Sequence, residues 1–133
     1  MPAHRIEVVA AVIEREGRFL VTKRLEGTHL GGMWEFPGGK PEPGETHAQA
    51  LARELREELG VGIVVGELIM RTFHRYPDRA VMLHFYRASL TDGQPRPIGC
   101  AAIRWVTGEE LGKLPMPEAD RALVETLRAR EGG

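Results

Sequence analysis

Three carboxylates, Glu54, Glu57 and Glu58, stand at positions i, i+3 and i+4 of one short stretch. On a helix that spacing brings all three to one face. Like charges so close repel one another, and an exposed helix gains nothing by gathering them. A divalent cation resolves the conflict, because hard Mg²⁺ takes oxygen ligands and readily shares its shell with phosphates. The glycine-rich run ahead of the acids can bring backbone groups close to such a cation or to the phosphates. Arg53 follows Glu45 by eight residues and is spaced to pair with it across a loop–helix junction. A blander reading of the same residues is a solvated helix face on which Arg53, Arg56 and the glutamates form ion pairs.

The carboxylates need a helix to hold them, and the sequence predicts one from Thr46 to Leu59. Ala48, Leu51, Ala52, Leu55 and Leu59 recur at three- and four-residue spacing, the signature of an amphipathic helix. Thr46 is a suitable N-cap and Gly60 a natural stop. The preceding segment, Gly31 to Gly44, holds five glycines and three prolines and is expected to be a shaped loop. Ile6 to Ile13 and Phe19 to Thr22 read as strands joined as a hairpin by the turn at Glu16-Gly17. Ile63 to Phe73 and Ala80 to Ala88 read as strands around the turn Tyr76-Pro77-Asp78-Arg79. Ala101 to Val106 is a further short strand, and Glu118 to Arg130 a closing helix. This order predicts an α+β protein, layered as an α/β/α sandwich.

The chain of 133 residues has the length of one domain, expected to span 1–133. Hydrophobic residues make up 42%, charged residues 28%, and the net charge is −1. Such a balance gives no global field to draw the chain onto a nucleic acid polymer or an anionic membrane. Phosphate binding must therefore come from a local site. Cys100 is the single cysteine, which excludes an internal disulfide framework and fits a reducing compartment. The apolar run near the start is interrupted by Glu7 and Glu14 and is too short for a membrane span. The expected location is the cytoplasm, as a monomer or homodimer.

The acidic stretch carries a longer pattern. Gly39, Glu45, Arg53, Glu54, Leu55, Glu57, Glu58, Gly60 and Val61 fill every fixed position of G-x5-E-x7-R-E-U-x-E-E-x-G-U, where U is aliphatic. A chance match in a chain this long is on the order of 10⁻⁷. The pattern resembles the Nudix box. Outside it, Trp34 to Gly39, Tyr76 to Arg79 and Ala119 to Arg121 resemble the MutT-like branch of nucleotide-pool sanitising enzymes. The resemblance implies a Nudix fold, an α/β/α sandwich with a mixed β-sheet. It also implies Mg²⁺-dependent (Mn²⁺ as possible substitute) hydrolysis of a nucleoside triphosphate to the monophosphate and pyrophosphate.

Carried onto this chain, the resemblance makes Glu54, Glu57 and Glu58 metal ligands, with the Gly39 carbonyl as a further candidate. Glu54 is the first choice for general base, Glu45 and Arg53 the structural pair, and Arg24 a phosphate contact. Glu35, in the Trp34 to Gly39 stretch, is a further substrate-binding candidate, and Phe36, Asp78, Arg79 and Asp120 fall where the MutT-like branch binds the nucleobase. Each also has a plainer reading: Phe36 as core, Asp78 and Arg79 as turn residues, Asp120 as a first-turn acid favoured by the helix dipole. An asparagine stands in place of Asp120 in the bacterial 8-oxo-dGTP enzymes, whereas cytidine-nucleotide relatives carry aspartate. The base is therefore expected to be either 8-oxoguanine or of the cytidine type, with Glu118 as the alternative contact. The stretch Pro97 to Ala102 has no acid, so the additional metal-binding glutamate of some relatives is missing. ADP-ribose or a dinucleoside polyphosphate is the alternative substrate class, and a non-catalytic nucleotide-binding module the alternative function. His4, His29, His47, His74 and His84 show no metal-ligand spacing. Of these, His29 lies closest to the glycine-rich loop.

Overall fold

A computed structural model describes residues 5–132, so His4 lies outside the described residues. Strand β1 (Arg5–Val12) leads into the short β2 (Glu14–Arg15), and β3 (Arg18–Lys23) returns beside it. The turn between β2 and β3 is the expected one. Glu16 at φ 52° and Gly17 at φ 76° are both left-handed, as a tight primed hairpin turn requires. The hairpin is confined to β2 and β3, however. β1 instead pairs in parallel with β7 (Arg79–Asp92), Val8 opposite Leu83 and Ala10 opposite Phe85. The expected β1–β3 hairpin is corrected accordingly: Ile13 marks the point where the chain passes from one sheet to the other. A parallel partner so distant along the chain leaves no local turn signal.

Within the expected loop, two short strands form, β4 (Trp34–Glu35) and β5 (Gly38–Gly39). β5 lies antiparallel to β1, and a Cβ on Gly38 would run into the Val9 carbonyl. Glycine is what allows that approach. β6 (Gly62–Tyr76) forms a long bulged hairpin with β7 and is longer than its apolar pattern indicated. One sheet runs β5-β1-β7-β6; the other joins β2, β3 and β4, with β8 (Ala102–Val106) beside β3.

Alternation along β1 feeds two separate cores. Val9, Ala11 and Ile13 pack with Leu51, Leu55 and Leu59 of α1 (His47–Leu59). Ala10 and Val12 face the other way, toward Phe36, Phe85 and Leu123 and Leu127 of the last helix. That helix, α3 (Arg121–Gly132), follows a 3₁₀ turn (Glu118–Asp120) and a one-turn helix α2 (Gly108–Leu111). Helices thus cover both faces of a mixed sheet, which is the α/β/α sandwich.

α1 is tied at both ends. Thr46 accepts from the Gln49 amide while Gln49 caps Thr46 in return, and Gly60 closes the helix at φ 72°. Its buried stripe holds the acidic face in place: truncating fully buried Leu55 to alanine should cost about 2–5 kcal/mol.

Candidate active site

The box residues gather where α1 meets the glycine-rich loop. Arg53 is the hub. Its Nε donates to Glu45 Oε2 at 2.7 Å and its Nη2 to Glu45 Oε1 at 2.9 Å. Nη2 also reaches the Lys40 carbonyl at 3.1 Å, and Nη1 reaches Glu54 Oε1 at 3.0 Å and Glu57 Oε2 at 3.3 Å. The two-pronged pair fixes loop to helix with the planar fork that only arginine offers. It also holds the Glu45 carboxyl down at about 2, first through the hydrogen bond from Arg53.

Glu54 and Glu58 turn inward together, whereas Glu57 leans out to Arg53 with its side chain 60% exposed. Glu58 Oε2 is buried and has no hydrogen-bond partner. Burial, then the neighbouring Glu54, pushes the Glu58 carboxyl up to about 9. Gly39 presses on this pair, since a Cβ there would come within 2.5 Å of the Glu54 carboxyl carbon. An orphaned buried oxygen beside a second carboxylate is a donor set suited to a hard divalent cation. Among the described residues, no three acidic, histidine or cysteine side chains stand ready to hold an ion in this arrangement. Glu57, drawn to Arg53, would have to swing in to complete a set.

A cavity of about 320 Å³ opens beside the box and is lined by Arg24, Glu35, Phe36, Gly39, Arg79 and Asp120 among others. Three of these six, Phe36, Arg79 and Asp120, were expected at the base. Phe36 is both core and wall: it is 3% exposed and meets Phe85 edge-on at 5.9 Å. Arg24, expected to contact phosphate, is engaged by Glu35 through Nη1 at 3.2 Å and by the His29 carbonyl through Nε at 2.7 Å. Burial raises the Glu35 carboxyl and Arg24 opposes the rise. Arg79 points a buried, unpartnered Nε inward, its guanidinium 5.8 Å from the Tyr76 ring. Asp120 is 4% exposed, and burial followed by Glu35 pushes it up to about 8.

Two expectations fail. Asp78 is exposed in the β6–β7 turn and does not line the cavity, so it is a turn residue. Glu118 is exposed too and pairs with Arg121 at 3.3 Å. Conversely, Tyr76, His29 and Lys40 line the cavity. Tyr76 gave no separate signal because it sat inside the turn motif. Its ring faces His29 edge-on at 6.0 Å.

Comparison with known proteins gives the family. The family model for the NUDIX domain matches residues 8–126. The chain belongs to the NUDIX domain family. It is 40% identical over 124 residues to a CTP pyrophosphohydrolase of Escherichia coli, covering 93% of this chain and 92% of that protein. It is 37% identical over 123 residues to an 8-oxo-dGTP diphosphatase of Haemophilus influenzae, covering 92% and 90% respectively. The crystal structure of a MutT protein from Methanosarcina mazei Go1 superposes with a TM-score of 0.87 at 26% identity, covering 100% of this chain and 99% of that one. Among the described residues, no helix of this Nudix chain is long and apolar enough to cross a membrane.

Proposed function

We propose that this Nudix chain, acting as one cytoplasmic domain, hydrolyses a nucleoside triphosphate to the monophosphate and pyrophosphate. The base is of the cytidine type or 8-oxoguanine, in keeping with what the two similar enzymes are named for. The observation that carries this reading is one cavity lined by two kinds of residue: the flat Phe36 ring and Asp120 on the one hand, and Gly39, which lies against the Glu54 carboxyl, on the other.

Glu54, Glu57, Glu58 and the Gly39 carbonyl would hold divalent cations, Mg²⁺ by preference. A bound cation supplies charge neutralisation for the phosphates and acidifies the attacking water. Water adds to a phosphorus as the P–O bond to the departing pyrophosphate breaks, and its proton passes to a carboxylate, for which Glu54 is our choice. Arg53 serves Glu54 as a positioning group, through the 3.0 Å contact and through Glu45. Arg79 brings an unsatisfied donor to the cavity, and Arg24 with Glu35 forms its wall between base and phosphates.

A panel assay with Mg²⁺ tests this. It compares the common NTPs and dNTPs, 8-oxo-dGTP, 5-hydroxy-CTP, ADP-ribose and a diadenosine polyphosphate by kcat/KM, with pyrophosphate and phosphate measured separately. Preference for one triphosphate with pyrophosphate released is the expected result. Preference for ADP-ribose or a dinucleotide would discard the base pocket, and no turnover of any compound would discard the enzyme.

A further inference from the structure

A cluster of titratable side chains that the proposed chemistry leaves unused lies where the first turn of α1 meets the sheet. His47, the first residue of α1, reaches the Tyr86 hydroxyl of β7 through Nδ1 at 2.6 Å. Its ring stands 4.5 Å from that of His84, which precedes Tyr86 on the same face of β7. His84 is buried and held in place. Its Nε2 meets Glu7 Oε1 of β1 at 2.7 Å, and its Nδ1 is enclosed without a partner. These contacts dock the first turn of α1 onto β1 and β7. They lie directly after Thr46, the cap, and Glu45, the acid that holds Arg53.

A proton on His47 would meet opposition from several elements. The residue sits at the positive end of the α1 dipole, and the first turn contains no acid. His84 of β7 and Arg71 of β6 both oppose a charge there. Glu7 of β1 favours it, but that carboxylate is already shared between His84 and Arg5. In the cavity that His47 lines with the loop, Glu42 and Glu45 are held by Arg53, and Lys40 adds a cation. Two imidazoles so close do not readily carry charge together. Burial, then His84, accordingly lowers His47 below the usual histidine range.

We infer that His47, Tyr86 and His84 form a proton-sensitive latch, which docks the first turn of α1 while His47 is neutral and releases it on protonation. Once released, His47 takes up a proton near its ordinary value of 6.5. Opening therefore draws in a proton and grows as pH falls through that range. Because this turn follows Glu45 directly, His47 is a positioning residue for Arg53 and the acids beside it. The effect on turnover rests on the proposed hydrolysis; the latch itself does not.

Hydrogen exchange in the full chain tests the latch without turnover. The Gln49 and Ala50 amides donate to the Thr46 side chain and carbonyl and so report on the first turn. Corrected for intrinsic rate, their protection should fall about threefold or more from pH 7.5 to 5.5 in wild type. It should stay level in His47→Gln, whose amide can bond to Tyr86 without titrating. Tyr86→Phe should show low protection already at pH 7.5. Proton NMR of the wild-type His47 ring needs no variant, and a midpoint at or above 6.5 overturns the latch. So does protection that stays level in wild type or falls equally in His47→Gln. The pH profile of kcat/KM tests the positioning role: its fall below pH 6.5 should be steeper in wild type than in His47→Gln. Coincident acid limbs overturn that role. No hydrolysis, with protection changing as described, overturns the proposed reaction and upholds the latch.

Discussion

The two ends of the site are built in different ways. The proposed phosphate end is nearly one-dimensional: Gly39 to Val61 forms a loop and a helix, and each carboxylate reaches its place through helical spacing and one arginine, Arg53. The proposed base end is assembled from distant segments. Arg24 follows β3, Phe36 lies between β4 and β5, Arg79 opens β7, and Asp120 ends a 3₁₀ turn far along the chain. A local device keeps its geometry whatever the rest of the fold does. A composite pocket changes with any element that contributes to it. The reaction is therefore expected to be stiff toward change and the choice of base to be pliable.

The largest effect that bears on this contrast comes from Glu57→Gln. Loss of a metal-binding carboxylate should lower kcat by on the order of 10²-fold or more, with the ranking of bases unchanged. Steady-state kinetics across Mg²⁺ concentrations check it. Unaltered turnover with unaltered Mg²⁺ dependence would remove Glu57 from the metal set, a result its exposed, Arg53-facing position makes worth seeking. Asp120→Ala should do the opposite. It should alter the preference between bases by about tenfold, the worth of one good paired hydrogen-bonding contact, and leave the chemistry largely alone. If kcat collapses for every base instead, the two ends are not separable.

Legibility followed the same division. The α1 helix, its Thr46 cap and its Gly60 stop were plain in the sequence because each depends on neighbours within a few residues. Arg53 reaching Glu45 was plain for that reason too. The parallel pairing of β1 with β7 was not, since nothing local encodes a partner across the whole α1 helix and β6. Arg24 and Asp120 could be named as pocket residues only by resemblance; that Arg24 is bound to Glu35 needed coordinates. Asp78 was misplaced because a turn residue beside a lining residue looks alike in sequence, and the register of Tyr76 opposite Arg79 decided which of them faces inward. α2 was overlooked although its signal was present: Thr107 and Glu110 form a capping box.

The smallest effect is one of stability, and it separates the ends once more. In the unfolded chain Asp120 ionises near its ordinary value of 3.8, whereas in the fold it holds its proton up to about 8. Between those limits the folded state binds more protons than the unfolded one, so stability falls as pH rises through that window. Below it, both states are protonated and Asp120 costs nothing. Asp120→Asn removes a titrating group and keeps the shape. Its Tm should exceed that of the wild type near pH 8, with the gap closing as the pH approaches 4. Thermal unfolding without Mg²⁺, followed by circular dichroism at several pH values, gives the comparison. Glu57→Gln, which alters a half-exposed carboxylate on α1, should show no such widening gap. A wild-type Tm that does not fall relative to Asp120→Asn between pH 4 and 8 would mean that the pocket holds the Asp120 carboxylate charged.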